Sequence, residues 1–312
     1  MRIAIIGSGG VGGYFGGRLA KAGFDVTFVA RGSHLKAIQE NGLRIRSIAG
    51  NILIDTVQAT DKISELSRPD LIIIGTKAGQ VKEIRNEIKK ILQPNSIILP
   101  LQNGILAANE LQEVIDESHI LGGLCRIISK IEGPGIIHHF AINPIIVFGE
   151  LNKIHSERVA AVKTIFDTAQ IDSIISDDIE ADLWKKFIGI CVSGLLAITK
   201  TNYGELRSLP ETRTMMINLL TEIYQLSQAM GINIENDFIS KTVSAIDNFP
   251  FNSTTSLSRD IWEGKPSEIE YQNGTVVSLA EQYGVNTPVN RFVYNCILPM
   301  EYKARKNHML RK

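Results

Sequence analysis

Ile3-Ala4-Ile5-Ile6-Gly7-Ser8-Gly9-Gly10-Val11-Gly12 is the stretch that decides the fold. Its four apolar residues read as a short buried strand. Gly7, Gly9 and Gly12 then form a G-x-G-x-x-G turn that runs into a helical pattern over residues 14–22. Strand, glycine turn and helix in that order are the context of a dinucleotide site. Gly7 permits the tight turn, Gly9 lets a pyrophosphate approach the backbone, and Gly12 lets the helix pack close to the strand. The helix start offers N–H groups and a positive dipole end to phosphates. The whole loop, with Ser8, Gly10 and Val11, is therefore the expected cofactor cradle. A second strand at 25–29 closes the βαβ unit within about 30 residues.

The end of that second strand bears on the choice of cofactor. NAD sites usually place an acid there, to accept hydrogen bonds from the ribose 2′-hydroxyl. This chain reads Phe28-Val29-Ala30-Arg31-Gly32-Ser33-His34, with Arg31 where the acid would stand. A guanidinium pairs with a 2′-phosphate in a forked geometry that a carboxylate would repel. NADPH/NADP+ is thus the expected cofactor; the alternative is that Arg31 is a solvated surface charge.

At 312 residues the chain is comfortable for two domains. Lys plus Arg and Asp plus Glu both number 33, a formal net charge of zero. That argues against a general nucleic-acid binder, which needs a basic footprint. Five of the residues 303–312 are Lys or Arg, and they read as a solvated tail rather than an anchoring patch. The longest apolar run, residues 187–198, is too short to span a membrane, and the N-terminus is not a secretory signal. Cys125, Cys191 and Cys296 lack zinc spacing and read as buried reduced thiols in a cytoplasmic protein. His138 and His139 are adjacent on an expected strand and so point to opposite faces; no metal is expected.

The first half alternates strands (2–6, 25–29, 71–75, 97–101, 120–124) with helices (12–22, 33–41, 78–92, 105–115). That alternation implies an α/β fold with a Rossmann-type, doubly wound parallel sheet. Alternating texture at 43–54 and 136–149 suggests antiparallel additions at the sheet edges. After Asp177 strands give way to helices, expected at 178–198 (capped by Asp177 or Asp178), 210–230, 237–246, 268–283 and 289–305. The expected organisation is an NADP-binding domain over 1–176 and an all-α substrate and catalytic domain over 177–312, with the active site in the cleft between them. Apolar residues at 219–232 and 289–298 read as core or as the interface of a homodimer through the helical domain.

Three segments carry candidate chemistry. Lys77 follows an apolar strand, where it would either approach the cofactor or open a helix at the surface. Asn103, in Gln102-Asn103-Gly104, also follows a strand and would touch the nicotinamide ribose or the substrate; Asn-Gly is turn chemistry on either reading. Lys185 and Lys186 lie on the first helix of the second half, with Ser256 and Glu268 further on. Reduction of a ketone needs a proton donor to the developing alkoxide, and a lysine serves if burial lowers its pKa.

Together the N-terminal G-x-G-x-x-G, Arg31, Thr76-Lys77-Ala78, Gln102-Asn103-Gly104, Leu183-Trp184-Lys185-Lys186, Ser267-Glu268-Ile269-Glu270-Tyr271-Gln272-Asn273-Gly274 and Gly284-Val285-Asn286-Thr287-Pro288-Val289-Asn290 resemble the ketopantoate reductases (2-dehydropantoate 2-reductases) over nearly the whole chain. The resemblance implies NADPH-dependent reduction of 2-dehydropantoate, a small 2-oxo acid, to (R)-pantoate. It puts the proton donor at Lys186, the cofactor- and substrate-contacting asparagine at Asn103, a substrate-binding serine at Ser256 and an acidic partner at Glu268, which also faces the cofactor. A main-chain cofactor contact falls near Ile128. The chain departs from the family where two asparagines would follow the lysine by four and eight residues; Ile190 and Gly194 stand there, with Ser193 beside the second as a partial substitute. Asn202 lies near a third family asparagine, about one residue out of register. Reduction of another 2-oxo acid, a related hydroxy-acid or amino-acid dehydrogenase, and an NADP-binding sensor without turnover remain as alternatives.

If Arg31 holds the 2′-phosphate, Arg31→Ala weakens NADPH binding by about 1.5–3 kcal/mol, the worth of a charged hydrogen bond, and leaves NADH nearly unaffected. Titration of both cofactors checks this, and equal losses would remove the assignment.

Overall fold

The computed structural model describes residues 1–310. The chain divides into two compact units, Met1–Asp182 and the remainder from Leu183 onward. In the first unit the strands are β1 (Arg2–Ile6), β2 (Asp25–Val29), β3 (Leu43–Ser47), β4 (Ile52–Ile54), β5 (Gln58–Thr60), β6 (Leu71–Ile74), β7 (Ile97–Pro100), β8 (Gly122–Gly133), β9 (Ile136–Gly149) and β10 (Asp172–Ile175). Its helices are α1 (Gly10–Lys21), α2 (Gly32–Asn41), α3 (Val81–Ile91), α4 (Ala107–Gln112) and α5 (Glu157–Thr168).

Five parallel strands form one sheet in the order β5-β2-β1-β6-β7. The chain winds outward from β1 in one direction and then the other, so the strand order reverses between β1 and β6. Ligands bind in open α/β sheets at that switch point, outside the carboxyl ends of the strands. The period-two geometry of a strand sorts its side chains onto two faces. Ile3, Ile5, Phe28, Leu71, Ile73 and Leu99 enter one buried cluster. Ala4, Ile6, Val29, Ile72, Ile74 and Ile98 enter another, with α3 and α4. Burial on both faces explains why β6 is apolar throughout.

The doubly wound sheet is as expected, but its edges are not. Residues 120–124 do not form a fifth parallel strand. Ile120 makes one isolated bridge to Ile98, and from Gly122 the chain enters β8. The fifth strand is β5, on the opposite edge beside β2. Nor do 43–54 and 136–149 extend this sheet. They build a second sheet, β10-β9-β3-β4, with β8 antiparallel to the long β9. Strands β3 and β10 pair with the two halves of β9, both parallel to it.

Helix α1 packs against both sheets, and its sequence shows how. Five of its twelve residues are glycine, each costing about 1 kcal/mol of helix propensity relative to alanine. A Cβ at Gly12 would overlap the Gly7 carbonyl, and one at Gly16 would lie 2.6 Å from Phe28 and 2.7 Å from Ile5. A Cβ at Gly13 would lie 2.7 Å from Ile137 of the second sheet, and one at Gly17 would overlap Ile45. Two i, i+4 glycine pairs, offset by one residue, therefore clear two faces of one helix about 100° apart.

The second unit is helical: the rest of α6 (Ile179–Ile190), then α7 (Val192–Thr199), α8 (Tyr203–Ser208), α9 (Pro210–Ala229), α10 (Phe238–Asp247), α11 (Ser256–Trp262), α12 (Asn273–Tyr283) and α13 (Pro288–Met309). The single helix expected over 178–198 is two, broken at Cys191. Asp178 does cap it, its carboxylate accepting from the Ala181 N–H at 3.1 Å. Asn202 is taken up by a reciprocal cap with Glu205 at the start of α8, so it stands as a helix cap. The basic stretch 303–312 is expected as a solvated tail, but its residues up to Met309 belong to α13, and Arg305 pairs with Glu301 at 2.7 Å. Arg311 and Lys312 lie outside the described residues. Cys125 and Cys191 are buried, whereas Cys296 is exposed on α13. Among the described residues no helix is long and apolar enough to cross a membrane.

Gly16→Ala should destabilise the fold by about 1–3 kcal/mol through overpacking, although alanine is the better helix former. Gly189→Ala in α6, where an added Cβ meets nothing within 4 Å, should stabilise by about 0.5–1 kcal/mol. Urea midpoints of the two variants would move in opposite directions.

Candidate active site

Because β1, β2, β6 and β7 run parallel, their carboxyl ends lie along one edge of the sheet. The segments that follow them carry Gly7–Gly12, Arg31, Lys77 and Asn103. Gly7 turns the chain with φ +92°, and a side chain there would lie 2.7 Å from Thr76. A Cβ at Gly9 would meet nothing within 4 Å, so the loop is open where a ligand backbone would approach. Helix α1 begins at once, without an acidic residue in its first turn or a side-chain cap at Gly9. Its first N–H groups and dipole are therefore available to an anion.

Four buried polar atoms around this loop have no hydrogen-bond partner among the described residues: Ser8 Oγ, Thr76 Oγ1, Gln102 Oε1 and Ser129 Oγ. They form one neighbourhood. Thr76 lies against Gly7, Ser129 lies against Gly10, and the Gln102 amide donates to the Ile74 carbonyl at 2.9 Å and the Thr76 carbonyl at 3.4 Å. Unpartnered buried polar atoms are rare in a folded chain. Clustered on an open glycine turn at the sheet's switch point, they fit a polar ligand such as a dinucleotide.

The other expected contacts of this unit fall as follows. Arg31 is exposed, at the N-cap of α2. Lys77 is exposed and precedes a turn of 3₁₀ helix, Ala78–Gln80; it takes part in an interaction within the structure. Asn103 is half-buried in the turn after β7 and is likewise engaged. Ile128 sits at a β-bulge in β8, where the register against β9 shifts on both sides of it, beside the Ser129 that touches Gly10. Bulges re-aim backbone groups next to sites, which suits a main-chain contact there. His138 faces Glu132, while the buried His139 is hydrogen-bonded to Ser47 and to the carbonyls of Ala141 and Ile142.

Sequence reasoning missed His34. Its Nδ1 accepts from the Gly135 N–H at 3.0 Å, so Nε2 carries the proton and donates to the Ser8 carbonyl at 2.9 Å. The ring ties the glycine loop to α2 and to the β8–β9 hairpin. Burial holds the imidazole below its ordinary value, against the opposing Ser8 hydrogen bond.

In the second unit Lys185 and Lys186 are consecutive residues of α6. Consecutive helix positions are about 100° apart. Lys185 pairs with Glu235 at 2.8 Å, and that hydrogen bond keeps the Glu235 carboxyl below its usual range. Lys186 is half-buried and engaged within the structure; Gly189 and Ile190, three and four residues on, continue its face of α6. Glu268 is buried and engaged, just before the 3₁₀ turn Ile269–Tyr271. Ser256 is exposed at the first position of α11, whereas Ser193 is only 2% exposed within α7. At Gly194 an added Cβ would overlap Asn273 Oδ1, so the volume of a side chain there is already taken.

A glycine turn at the switch point of a parallel sheet, followed by a helical unit bearing a partly buried lysine and a buried glutamate, defines a dinucleotide-dependent oxidoreductase plan. Comparison with known proteins agrees. Residues 3–153 match the family described as ketopantoate reductase PanE/ApbA, and residues 178–301 match its C-terminal part; the chain belongs to this family. It is 30% identical over 314 residues to the 2-dehydropantoate 2-reductase of Nostoc sp., covering 99% of this chain and 98% of that protein. It is 29% identical over 295 residues to the Bacillus subtilis protein named uncharacterized oxidoreductase YkpB, covering 94% and 97%. A PanE/ApbA family ketopantoate reductase from Ralstonia eutropha superposes with a TM-score of 0.90 at 27% identity, covering 98% of this chain and all of that one.

The His34 geometry has a pH consequence. Unfolded histidine titrates near 6.5 and folded His34 lower, so between the two values the unfolded chain binds more protons. The stability tied to neutral His34 is complete above about 6.5 and is lost as pH falls toward the folded value. Denaturant midpoints at about pH 7.5 and 5.5 should differ less in His34→Gln than in the wild type.

Proposed function

We propose that this chain is an NADPH-dependent 2-dehydropantoate 2-reductase, forming (R)-pantoate on the way to pantothenate and coenzyme A. The reading rests first on the cluster of unpartnered buried polar atoms around the Gly7–Gly12 turn, a site built for a dinucleotide in a chain of the ketopantoate reductase family. Residues 1–176 would bind the cofactor, and 177–312 would supply the substrate and catalytic groups. We place the protein in the cytoplasm and its pairing, if it assembles, through the helical unit.

In this reading the α1 N-terminus and the Gly7–Gly12 loop hold the pyrophosphate, Arg31 the 2′-phosphate, and Lys77, Asn103 and the Ile128 main chain the nearer parts of the cofactor. Bound nicotinamide supplies the hydride. The protein's part is the oxygen. Lys186 donates a hydrogen bond to the keto oxygen and then a proton as negative charge develops there. Glu268 orients the Lys186 ammonium or accepts from the substrate hydroxyl. Ser256, exposed at the start of α11, holds a polar end of the substrate, with Asn103 a further contact. Ser193 is enclosed and would act only from inside the unit.

One observation favours a second reading, reduction of a different 2-oxo acid. Ile190 is apolar, and the volume beside Gly194 is filled by Asn273. Amide side chains at those two places would each contribute about 0.5–1.5 kcal/mol of hydrogen bonding.

The test is NADPH oxidation with 2-dehydropantoate beside a panel of other 2-oxo acids. Lys186→Ala should lower kcat by roughly 10²–10⁴-fold, and Lys185→Ala, which removes only the pair with Glu235, should be mild. Equal effects would take the proton-donor role from Lys186. NADPH binding without turnover on any keto acid would replace the enzyme reading with that of a sensor.

A further inference from the structure

Asn273 is completely buried, and the direction of its amide is fixed by its surroundings. Its Nδ2 donates to the Cys191 carbonyl at 3.2 Å and to Asn290 Oδ1 at 3.0 Å. Asn290 in turn donates from Nδ2 to Glu222 at 2.7 Å and to the Leu219 carbonyl at 3.1 Å. The backbone N–H groups of Val289 and Asn290 donate to the same carboxyl group, at 2.9 and 3.0 Å. Flipping either amide would set oxygen against oxygen. The chain Glu222–Asn290–Asn273–Cys191 therefore has one arrangement, reached from three helices; Asn273 Oδ1, packed against Gly194, has no hydrogen-bond partner among the described residues, and the directional bonds made by the rest of the network hold those helices in register.

Its end point matters. Cys191 is the break between α6 and α7, and its own N–H donates to the carbonyl of Phe187, the neighbour of Lys186. On the other side, Asn273 is separated by Gln272 alone from the 3₁₀ turn Ile269–Tyr271 that begins after Glu268. Asn273 thus stands five residues past Glu268 and bonds a carbonyl five residues past Lys186. Ser267, the other neighbour of Glu268, is held by Glu301, its N–H donating at 3.0 Å and its hydroxyl at 2.6 Å. We propose that Asn273 is a positioning residue for the reduction: its bond to the Cys191 carbonyl clamps the helix carrying Lys186 to the turn carrying Glu268 and sets their spacing. Gly194 belongs to the clamp. A Cβ there would overlap Asn273 Oδ1 and lie 2.6 Å from Val293. The proposal rests on the reading of Lys186 as proton donor and Glu268 as its partner.

Two variants of the full chain test it: Asn273→Ser, whose shorter hydroxyl replaces the two-donor amide, and Gly194→Ala, which crowds the same amide. The first readout is turnover of the 2-oxo acid. Misplacement by about 1 Å costs up to about 100-fold in rate, so kcat should fall about 10- to 100-fold, with a smaller change in KM and unaltered NADPH affinity. The second readout needs no activity. Lys186 and Lys185 are acylated with an amine-selective reagent across pH and resolved by peptide mass spectrometry. A changed distance to Glu268 alters the charge environment of Lys186, so its labelling midpoint moves in the variants while that of Lys185, held by Glu235, does not. Folded variants with wild-type kcat and an unmoved Lys186 midpoint would overturn the proposal. Should the wild type reduce no keto acid, the reductase reading fails, and the labelling midpoint alone decides the clamp. Should Asn273→Ser fail to fold, Gly194→Ala is judged by the same criteria.

Discussion

A side chain at residue 12 would overlap the carbonyl of residue 7, and most of the first unit depends on its absence. That contact sets how closely α1 follows the glycine turn, and α1 in turn spaces the two sheets. Gly12 and Gly16 admit Ile5 and Phe28 on one face, while Gly13 and Gly17 admit Ile137 and Ile45 on the other. Such a helix gives up several kcal/mol of propensity relative to alanine (about 1 kcal/mol per glycine) and depends on tertiary packing for its stability. The same close approach leaves the helix N-terminus at the switch point of the sheet. One steric requirement thereby fixes both the layer spacing and the place where a phosphate can meet backbone N–H groups.

The second unit is organised differently, around buried polar groups. Glu222 lies inside the bundle and accepts from the first backbone N–H groups of α13, an end that would otherwise be unsatisfied. Asn290 and Asn273 extend that network to the α6–α7 break. Apolar side chains would fill the space at less risk, since a half-satisfied polar network is worse than none. Directional hydrogen bonds, however, allow only one register among α7, α9, α12 and α13. The device suits the proposed role of this unit, in which Lys186 and Glu268 are held at a set separation.

How much of this was legible in the sequence depends on how local the cause is. Strands β1 and β2 were readable to the residue: Ile3–Ile6 is an unbroken apolar run ended by Gly7, and the β-prone run Val26-Thr27-Phe28-Val29 lies between Asp25 and Ala30-Arg31. The second sheet was not. The alternation at 136–149 identifies a strand but not its partners, and β9 pairs with three. Helix α5 and strand β10 were overlooked, although Ser156 caps α5 and Val159, Val162, Ile165 and Phe166 mark its buried face. Gln102, Thr76 and Ser129 drew no separate attention because their significance lies in what surrounds their oxygens, which spacing along the chain does not encode. The break at Cys191 was hidden for a related reason. Residues 178–198 are apolar enough to read as one helix, and the amide that stabilises the break comes from Asn273, far along the chain.

That break also separates the two departures from the family pattern. Gly194 and Asn273 fit together: the amide oxygen of one fills the space that the other's missing side chain leaves. An amide could not be placed at 194 without displacing Asn273, and with it the bond to the Cys191 carbonyl. Ile190 is under no such constraint. It is half-buried at the end of α6, on the same face as Lys186 and Gly189. The polarity beside the lysine can therefore change at residue 190 without disturbing the network, whereas residue 194 is committed to holding the unit together. On the proposed reduction, residue 190 and not residue 194 is the place where discrimination among keto acids is free to vary.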